Sequence, residues 1–474
     1  MKNKYIVSIL MLIMAISWQS CEDFLDMQPQ ESMDADEALT TPQNVKATLI
    51  GAYLEMRSRW TFGSQFNEYA ELLATTEHLQ HVGSHRQPQE MLEKNIAVNN
   101  SYVESSWIVS YSLINTINNV IHAVDILDEQ DRDRVLGEAL FLRGMVYFEL
   151  TRLWGLPYVA GQENDQPGVP LILLPTLGAP DAVPVKRETV ESCYRQLIED
   201  LTMAKDILPA NNGVFANTYA ASALLSRVYL QMSDFEKAAT EANRIIESGA
   251  FQLNASPMAA FNNPQISSED IFTLQNSLTS NTIWLPERYG SLNGLGRGDY
   301  QFPPAFLQLF DPADLRGHLQ EDTHPGYTLE NINSMYYIGV GAIRSGGINT
   351  AKWGNYYTII PLIRLAEMYL TRAEANFELM AAGASPVGPA TPKDDINTIR
   401  QRAMAPLHED EPGRDDIRLE RYLELCWEGH RLHDLKRWQA NIGSIPFDAG
   451  NLILPIPVRE METNPLLEQN PYYQ

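Results

Sequence analysis

A mainly α-helical scaffold of paired helices, interrupted by a long loop-rich insert, is the fold class this sequence predicts. Three observations predict it. Apolar residues recur at helical spacing in several segments, alanine and glycine sit on the same stripes, and residues 255–357 show neither pattern.

The elements follow in chain order. Lys2 and Lys4 precede an almost unbroken apolar run, "YIVSILMLIMAI". It is too short to span a bilayer as a helix, which takes about 20 residues, and fits the h-region of a signal peptide over residues 1–20. Ser20 is the small residue before a cleavage point, and Cys21 follows at once, as in a bacterial lipoprotein whose N-terminal thiol carries the lipid. Trp18 and Gln19 depart from the usual preference there, and ordinary cleavage with an unmodified thiol is the alternative. Residues 21–40 then read as a polar tether. No later stretch is apolar enough to span a membrane.

Composition narrows the function classes. The 474 residues carry a formal charge of -25. With no basic block, the chain lacks the Lys and Arg surface that nucleic-acid phosphates need. Its 44% hydrophobic and 20% charged residues are those of a globular protein, with room for about three domains or one large scaffold with insertions. Cys193 and Cys426 lie in helical-looking segments beside apolar neighbours and are expected as buried free thiols, although an exported compartment would permit a bridge.

In "EALFLRGMVYFELTRLW" the stripe is Ala139, Leu142, Val146, Leu150 and Leu153, with Arg143, Glu149 and Arg152 off it. "YAASALLSRVYLQM" repeats it with Ala221, Leu225, Val228 and Met232. After a break at Ser233 and Asp234, Phe235, Ala238, Ala242 and Ile245 continue it, and Gly249 stands as a C-terminal stop. "PLIRLAEMYLTRAEANFE" presents Leu362, Ala366, Tyr369 and Ala373. Two helices of about 14 residues joined by a tight turn resemble tetratricopeptide repeats, most clearly over 217–249; an ordinary helical bundle is the alternative. Residues 155–187 are too rich in Pro and Gly for helix. The insert 255–357 is rich in Gly, Asn and aromatic residues; loops of that length are functional or disordered, and its aromatics argue against disorder. A few short strands are expected there.

Several constellations invite chemistry. "RLERYLELCWEGHRLHDLKRW" holds Glu424, Glu428, His430, His433 and Asp434. A glycosidase needs two carboxyls facing each other across a sugar, whereas on one helix Glu428 and Asp434 point roughly 120° apart. Arg421 with Glu424, Glu428 with Arg431, and Asp434 with Arg437 have the spacing of helix-surface ion pairs, a structural role. His78, His81 and His85 are spaced like ligands, but Gly83 and Ser84 interrupt a helix, and no further ligand completes a zinc site. A polar loop touching ligand is the expected role. Gly294, Gly296 and Gly298 form a turn, not a nucleotide loop. The informative group is aromatic: Trp284, Tyr289, Tyr300, Tyr336, Tyr337 and Trp353, flanked by Asn281, Arg288, Asn293, Arg297 and Arg344. Sugars present flat CH faces that stack on Trp and Tyr, and peptide side chains pack there too. About half of these aromatics are expected in the core.

Eight stretches then carry a family resemblance: "SCEDFLDMQP", "EALFLRGMVYFELTRLWGLPY", "PVKRETVESCYRQLIEDL", "AASALLSRVYLQMSDFEKAATEANRIIESGAFQL", "IPLIRLAEMYLTRAEANFE", "DINTIRQRA", "RLERYLELCWEGHRLHDLKRW" and "LILPIPVREMETNPLLEQNPYY". In that order they resemble the SusD/RagB outer-membrane lipoproteins of Bacteroidetes-type bacteria. The insert matches no motif, and that is where members differ. The resemblance implies a SusD-like domain over 41–474, with a tetratricopeptide-like scaffold at 41–254 and 358–474 and a ligand-binding insert at 255–357. It implies lipidation at Cys21, "CEDFLD" as a surface-export signal, no catalysis and no cofactor. It also implies delivery of a captured nutrient to a TonB-dependent SusC-like β-barrel. A glycan is the first expectation; a peptide, or a surface glycoside hydrolase, is the alternative. In the family the segment before the helix bearing Trp107, Tyr111, Ile114 and Asn118 contributes to the binding face, with Trp107 itself in the core. The ligand contacts expected are therefore His81, His85, Arg86, Trp284, Arg288, Tyr289, Tyr300, Tyr336 and Trp353.

Overall fold

The computed structural model describes residues 39–181, 183–276, 283–322 and 324–474. The signal peptide, Cys21, all but the end of the tether and Asn281 lie outside the described residues. The fold is mainly α-helical. The principal helices are α1 (Pro42–Met56), α2 (Gln65–Ala74), α3 (Ser101–His122), α4 (Glu129–Trp154), α5 (Val190–Ile207), α6 (Thr218–Gln231) and α7 (Phe235–Ile246). After the insert come α8 (Leu365–Ala381), α9 (Pro392–Arg402), α10 (Arg414–Leu425) and α11 (Arg431–Arg437).

Local chemistry starts most of them. The side chains of Asn100, Asp128, Thr189, Asn217 and Asp234 accept backbone N–H bonds at the heads of α3 to α7, satisfying donors the first helical turn leaves orphaned. Sequential helices then pack on one another: α4 on α5, α5 on α6, α6 on α7, and α7 on α8. The pair α6–α7 breaks at Ser233, whose φ is 59°, where the sequence places the turn. The α4–α5 crossing needs its glycines: a Cβ on Gly144 would lie 2.8 Å from Leu201 Cγ, and one on Gly137 2.7 Å from Leu208 Cγ.

Two segments read as continuous helix are not. Leu362 belongs to a strand, β7 (Ile360–Arg364), which pairs antiparallel with β2 (Asp270–Leu274), and α8 begins only at Leu365. The C-terminal motif stops at Leu425, turns through Trp427 (φ 66°) and Gly429 (φ 83°), and restarts at Arg431.

The insert is built of short strands. β1 (Gln80–His81) pairs antiparallel with β3 (Tyr300–Gln301). β5 (Tyr336–Val340) lies between β4 (Leu319–Gln320), parallel to it, and β6 (Ser345–Thr350), antiparallel. The insert shares the scaffold's core: Phe148 of α4, Tyr300 of β3 and Trp427 after α10 belong to one apolar cluster. Cys193 and Cys426 are buried and free. Among the described residues no helix is long and apolar enough to cross a membrane.

Candidate functional site

Two regions concentrate charge. The first is the C-terminal motif, where the break after α10 turns the acids inward. Glu424 meets Arg364 at 3.2 Å, Arg316 at 3.3 Å, and Arg402. Glu428 meets Lys352 at 2.7 Å and Arg364 at 2.8 Å. Glu269 binds both Arg364 and Arg402 at 2.6 Å. Of the three expected surface pairs only Asp434–Arg437 forms, at 2.8 Å. Arg421 instead reaches Asp434 across the break at 3.0 Å. All of these groups are buried. Burial alone would raise the Glu424 carboxyl, but Arg402, Arg364 and Arg316 outweigh it and hold the group well below the usual carboxylate range. Burial pushes His430 and His433 well below the ordinary imidazole value, so both are neutral. The lattice holds these carboxylates in place against buried cations.

The second region is a corner where the loop 81–86 meets the insert. The β1–β3 pairing sets His81 opposite Tyr300. Val82 N–H donates to Asp299 O at 2.8 Å, and Arg344 Nε donates to Val82 O at 2.9 Å. Gly83 permits this approach, because a Cβ there would lie 2.4 Å from His81 Nε2 and 2.9 Å from Asp299 Cγ. His81 shares a hydrogen bond with Gln89 at 3.1 Å, and the His85 ring lies 6.3 Å from that of Tyr102. Burial lowers both histidines below the ordinary value. Arg86 is exposed and pairs with Glu90 at 2.6 Å.

Trp284 is half-buried at this corner, its backbone N–H donating to Gly63 O at 3.3 Å. That bond ties the insert to the loop after α1 and sets the Trp284 ring 6.2 Å from Trp60. The Arg59 guanidinium lies over both rings, 4.1 Å from the Trp284 centroid and 4.4 Å from that of Trp60. Trp60 packs edge-on against Tyr102 at 5.2 Å. The sequence reading missed Trp60 and Arg59. Their signal was an aromatic in "RSRWTFG" that belongs to no apolar stripe.

The other expected contacts lie deeper. Arg288 is fully buried, bound to Asp299 at 2.7 Å and to the Tyr102 hydroxyl at 2.9 Å. Burial works against its charge, but Glu68 and Asp299 outweigh it and keep it protonated. Tyr289, Tyr300, Tyr336 and Trp353 are core residues. Tyr289 donates to Asn67 at 3.2 Å, Tyr300 to Glu68, and Trp353 Nε1 to Trp427 O at 2.9 Å, while Tyr336 accepts from Trp427 Nε1 at 2.8 Å. In this structure these four aromatics and Arg288 are buried and dock the insert onto the scaffold. A lobe of short strands has little core of its own, so its large rings are sunk into the scaffold. His81, His85, Arg86 and Trp284 remain at the surface corner.

His81 and Val82 also line a cleft of about 630 Å³ with Leu79, Lys94 and Ile442. A larger cleft, about 910 Å³, runs from Trp107 and Tyr111 of α3 to Leu174, Val183 and Leu467. Trp107 is buried. Among the described residues no group of three or more His, Cys, Asp or Glu side chains is placed to hold a metal ion.

Comparison with known proteins follows the same architecture. A family described as "Starch-binding associating with outer membrane" matches residues 23–230, and the SusD family matches 325–450. SusD-like protein P2 of Formosa agariphila is 25% identical, with 99% of this chain and 100% of the relative covered. The starch-binding protein SusD of Bacteroides thetaiotaomicron is 29% identical over 30% of this chain and 31% of its own length. A SusD superfamily protein of Bacteroides thetaiotaomicron superposes with a TM-score of 0.75 at 25% identity, covering 91% of this chain and 100% of that one. The helix pairs, the two family matches on either side of 231–324 and the full-length structural likeness agree: the chain belongs to the SusD/RagB family.

Proposed function

We propose that this chain is a nutrient-binding lipoprotein of the outer-membrane surface. It captures an oligosaccharide and passes it to a TonB-dependent SusC-like β-barrel. The observation that carries the capture step is the corner where Trp60 and Trp284 meet beside the loop 81–86. Indole rings offer flat apolar area to sugar CH faces, and guanidinium and imidazole groups nearby supply hydrogen bonds to hydroxyls. Support comes from the starch-binding description of the family matched at 23–230 and from the starch-binding relative. The arginine-locked acids of the C-terminal motif favour binding over hydrolysis.

Lipidation at Cys21 anchors the domain, and a tether keeps it near its transporter at high effective concentration without a tight contact. The helix pairs form the barrel contact, and the corner faces the enclosed ligand. Calorimetry against a panel of oligosaccharides and peptides tests capture. Saccharide binding that weakens in Trp284→Ala and Trp60→Ala is expected; peptide binding alone overturns it. Fatty-acid labelling of wild type but not of Cys21→Ala tests the anchor. Recovery of a barrel at near-equal yield with the tagged protein in mild detergent tests the partner.

A further inference from the structure

We infer that the saccharide held at this corner is acidic, bearing a carboxylate or a sulfate ester that the Arg59 guanidinium engages. The inference rests on the oligosaccharide reading and narrows it.

The first observation is a contrast of charge with depth. The chain is strongly acidic, with a formal charge of -25, yet the groups that reach solvent at this corner are mainly cations. Arg86 is 82% exposed, Arg297 25% and Arg344 19%, and Arg59 is half-buried. The carboxylates beneath them are sunk: Asp299 is 0% exposed and Glu68 1%. Asp299 alone is shared by Arg288, Arg297 and Arg344. Of the acids nearer the surface, Glu90 pairs with Arg86, and Glu287 accepts from the Tyr356 hydroxyl.

The second observation is Arg59 itself. Its guanidinium lies over the Trp60 and Trp284 rings, and among the described residues no carboxylate or carbonyl accepts from it. A guanidinium carries five N–H donors in a planar fork matched to carboxylate and sulfate oxygens. Elsewhere in the molecule buried arginines spend that fork on acids: Arg143 on Asp200, Arg227 on Glu367, and Arg372 on Asp395. Arg59 keeps its fork at an aromatic corner, beside surfaces suited to a sugar ring. One residue of an acidic glycan presents both partners, an apolar ring face and an anion. A neutral glycan uses only the first.

Calorimetry with oligogalacturonides, their fully methyl-esterified counterparts, O-sulfated oligosaccharides, neutral oligosaccharides and an acidic peptide tests this. The expected result is binding of a charged saccharide about tenfold or more tighter than its neutral counterpart, from one charge-assisted contact, weakening as salt rises. In Arg59→Met, which keeps an apolar chain over the rings, that ratio collapses towards one; circular dichroism and thermal unfolding check that the variant is folded. Preference for uronate over sulfate, or the reverse, identifies the anion. Equal affinity for charged and neutral saccharides overturns the acidic ligand while leaving saccharide capture intact. A charged-to-neutral ratio that survives Arg59→Met overturns the role of Arg59. Binding of the acidic peptide alone, or of no saccharide, overturns both readings.

Discussion

Arginine does opposite work in two regions of this molecule. In the C-terminal lattice Arg364 and Arg402 are buried and meet several acids, Glu269, Glu424 and Glu428 among them. At the corner Arg297 and Arg344 share one sunken acid with Arg288, and Arg59 has none among the described residues. Where buried acids match buried cations, the charge is glue. Where cations outnumber the acids within reach and touch solvent, donors are left for something outside the chain. The lesson is that the count of carboxylates per guanidinium, taken with depth, separates the two roles better than residue type does.

The comparison can be broken most severely in the lattice. Arg364→Met leaves Glu269, Glu424 and Glu428 short of a partner, and a loss of about 3–5 kcal/mol is expected from stranding buried charge. Urea unfolding reads it, and a loss below about 1 kcal/mol would mean the lattice is not glue.

Lys436 sharpens the same contrast, as a buried cation that meets no acid among the described residues and donates to Leu452 O at 2.9 Å. Burial, helped by Arg152, pulls its ammonium down to about 7. An unfolded lysine titrates near 10.4, so between those values the unfolded chain holds the extra proton and stability rises with pH. Below pH 7 both states hold the proton and the full cost remains. Subtracting the Lys436→Met profile from that of wild type should leave a rise of a few kcal/mol over this window. Parallel profiles would rule the lysine out as its source.

At the corner the effects move from stability to binding. Trp284→Ala is expected to lose about 2 kcal/mol of saccharide affinity, roughly 30-fold, while unfolding stays cooperative. Unchanged affinity would remove Trp284 from the site. The smallest effect is expected for Arg86→Ala: its pair with Glu90 is exposed on the arginine side, so stability should shift by no more than about 0.5 kcal/mol. A larger shift would place Arg86 with the glue.

Much of the scaffold was legible because its signals are local. Asn217 caps α6, Ser233 turns it, and Asp234 caps α7 within a few residues of the apolar stripes they bound. The misread elements depend on distant partners. Leu362 continues a helical stripe in sequence, but pairing of its segment with β2 makes it strand. The turn at Trp427 puts a non-glycine residue at positive φ, which no local preference announces. The corner was half legible: the sequence singles out His81, His85, Arg86 and Trp284, while Trp60 and Arg59 come from the loop after α1, more than two hundred residues before Trp284.

By itself the sequence determined the helix pairs, their caps, the acidic balance and the family, since periodicity, capping and composition are properties of neighbouring residues. Only the tertiary structure decided which rings and guanidinium groups face water. Tyr300 and Trp284 are both aromatics of the same insert, yet one is sealed against Glu68 in the core and the other lies beside Arg59 at the surface. Burial is set by contacts between segments hundreds of residues apart, and composition carries no record of which segment arrives.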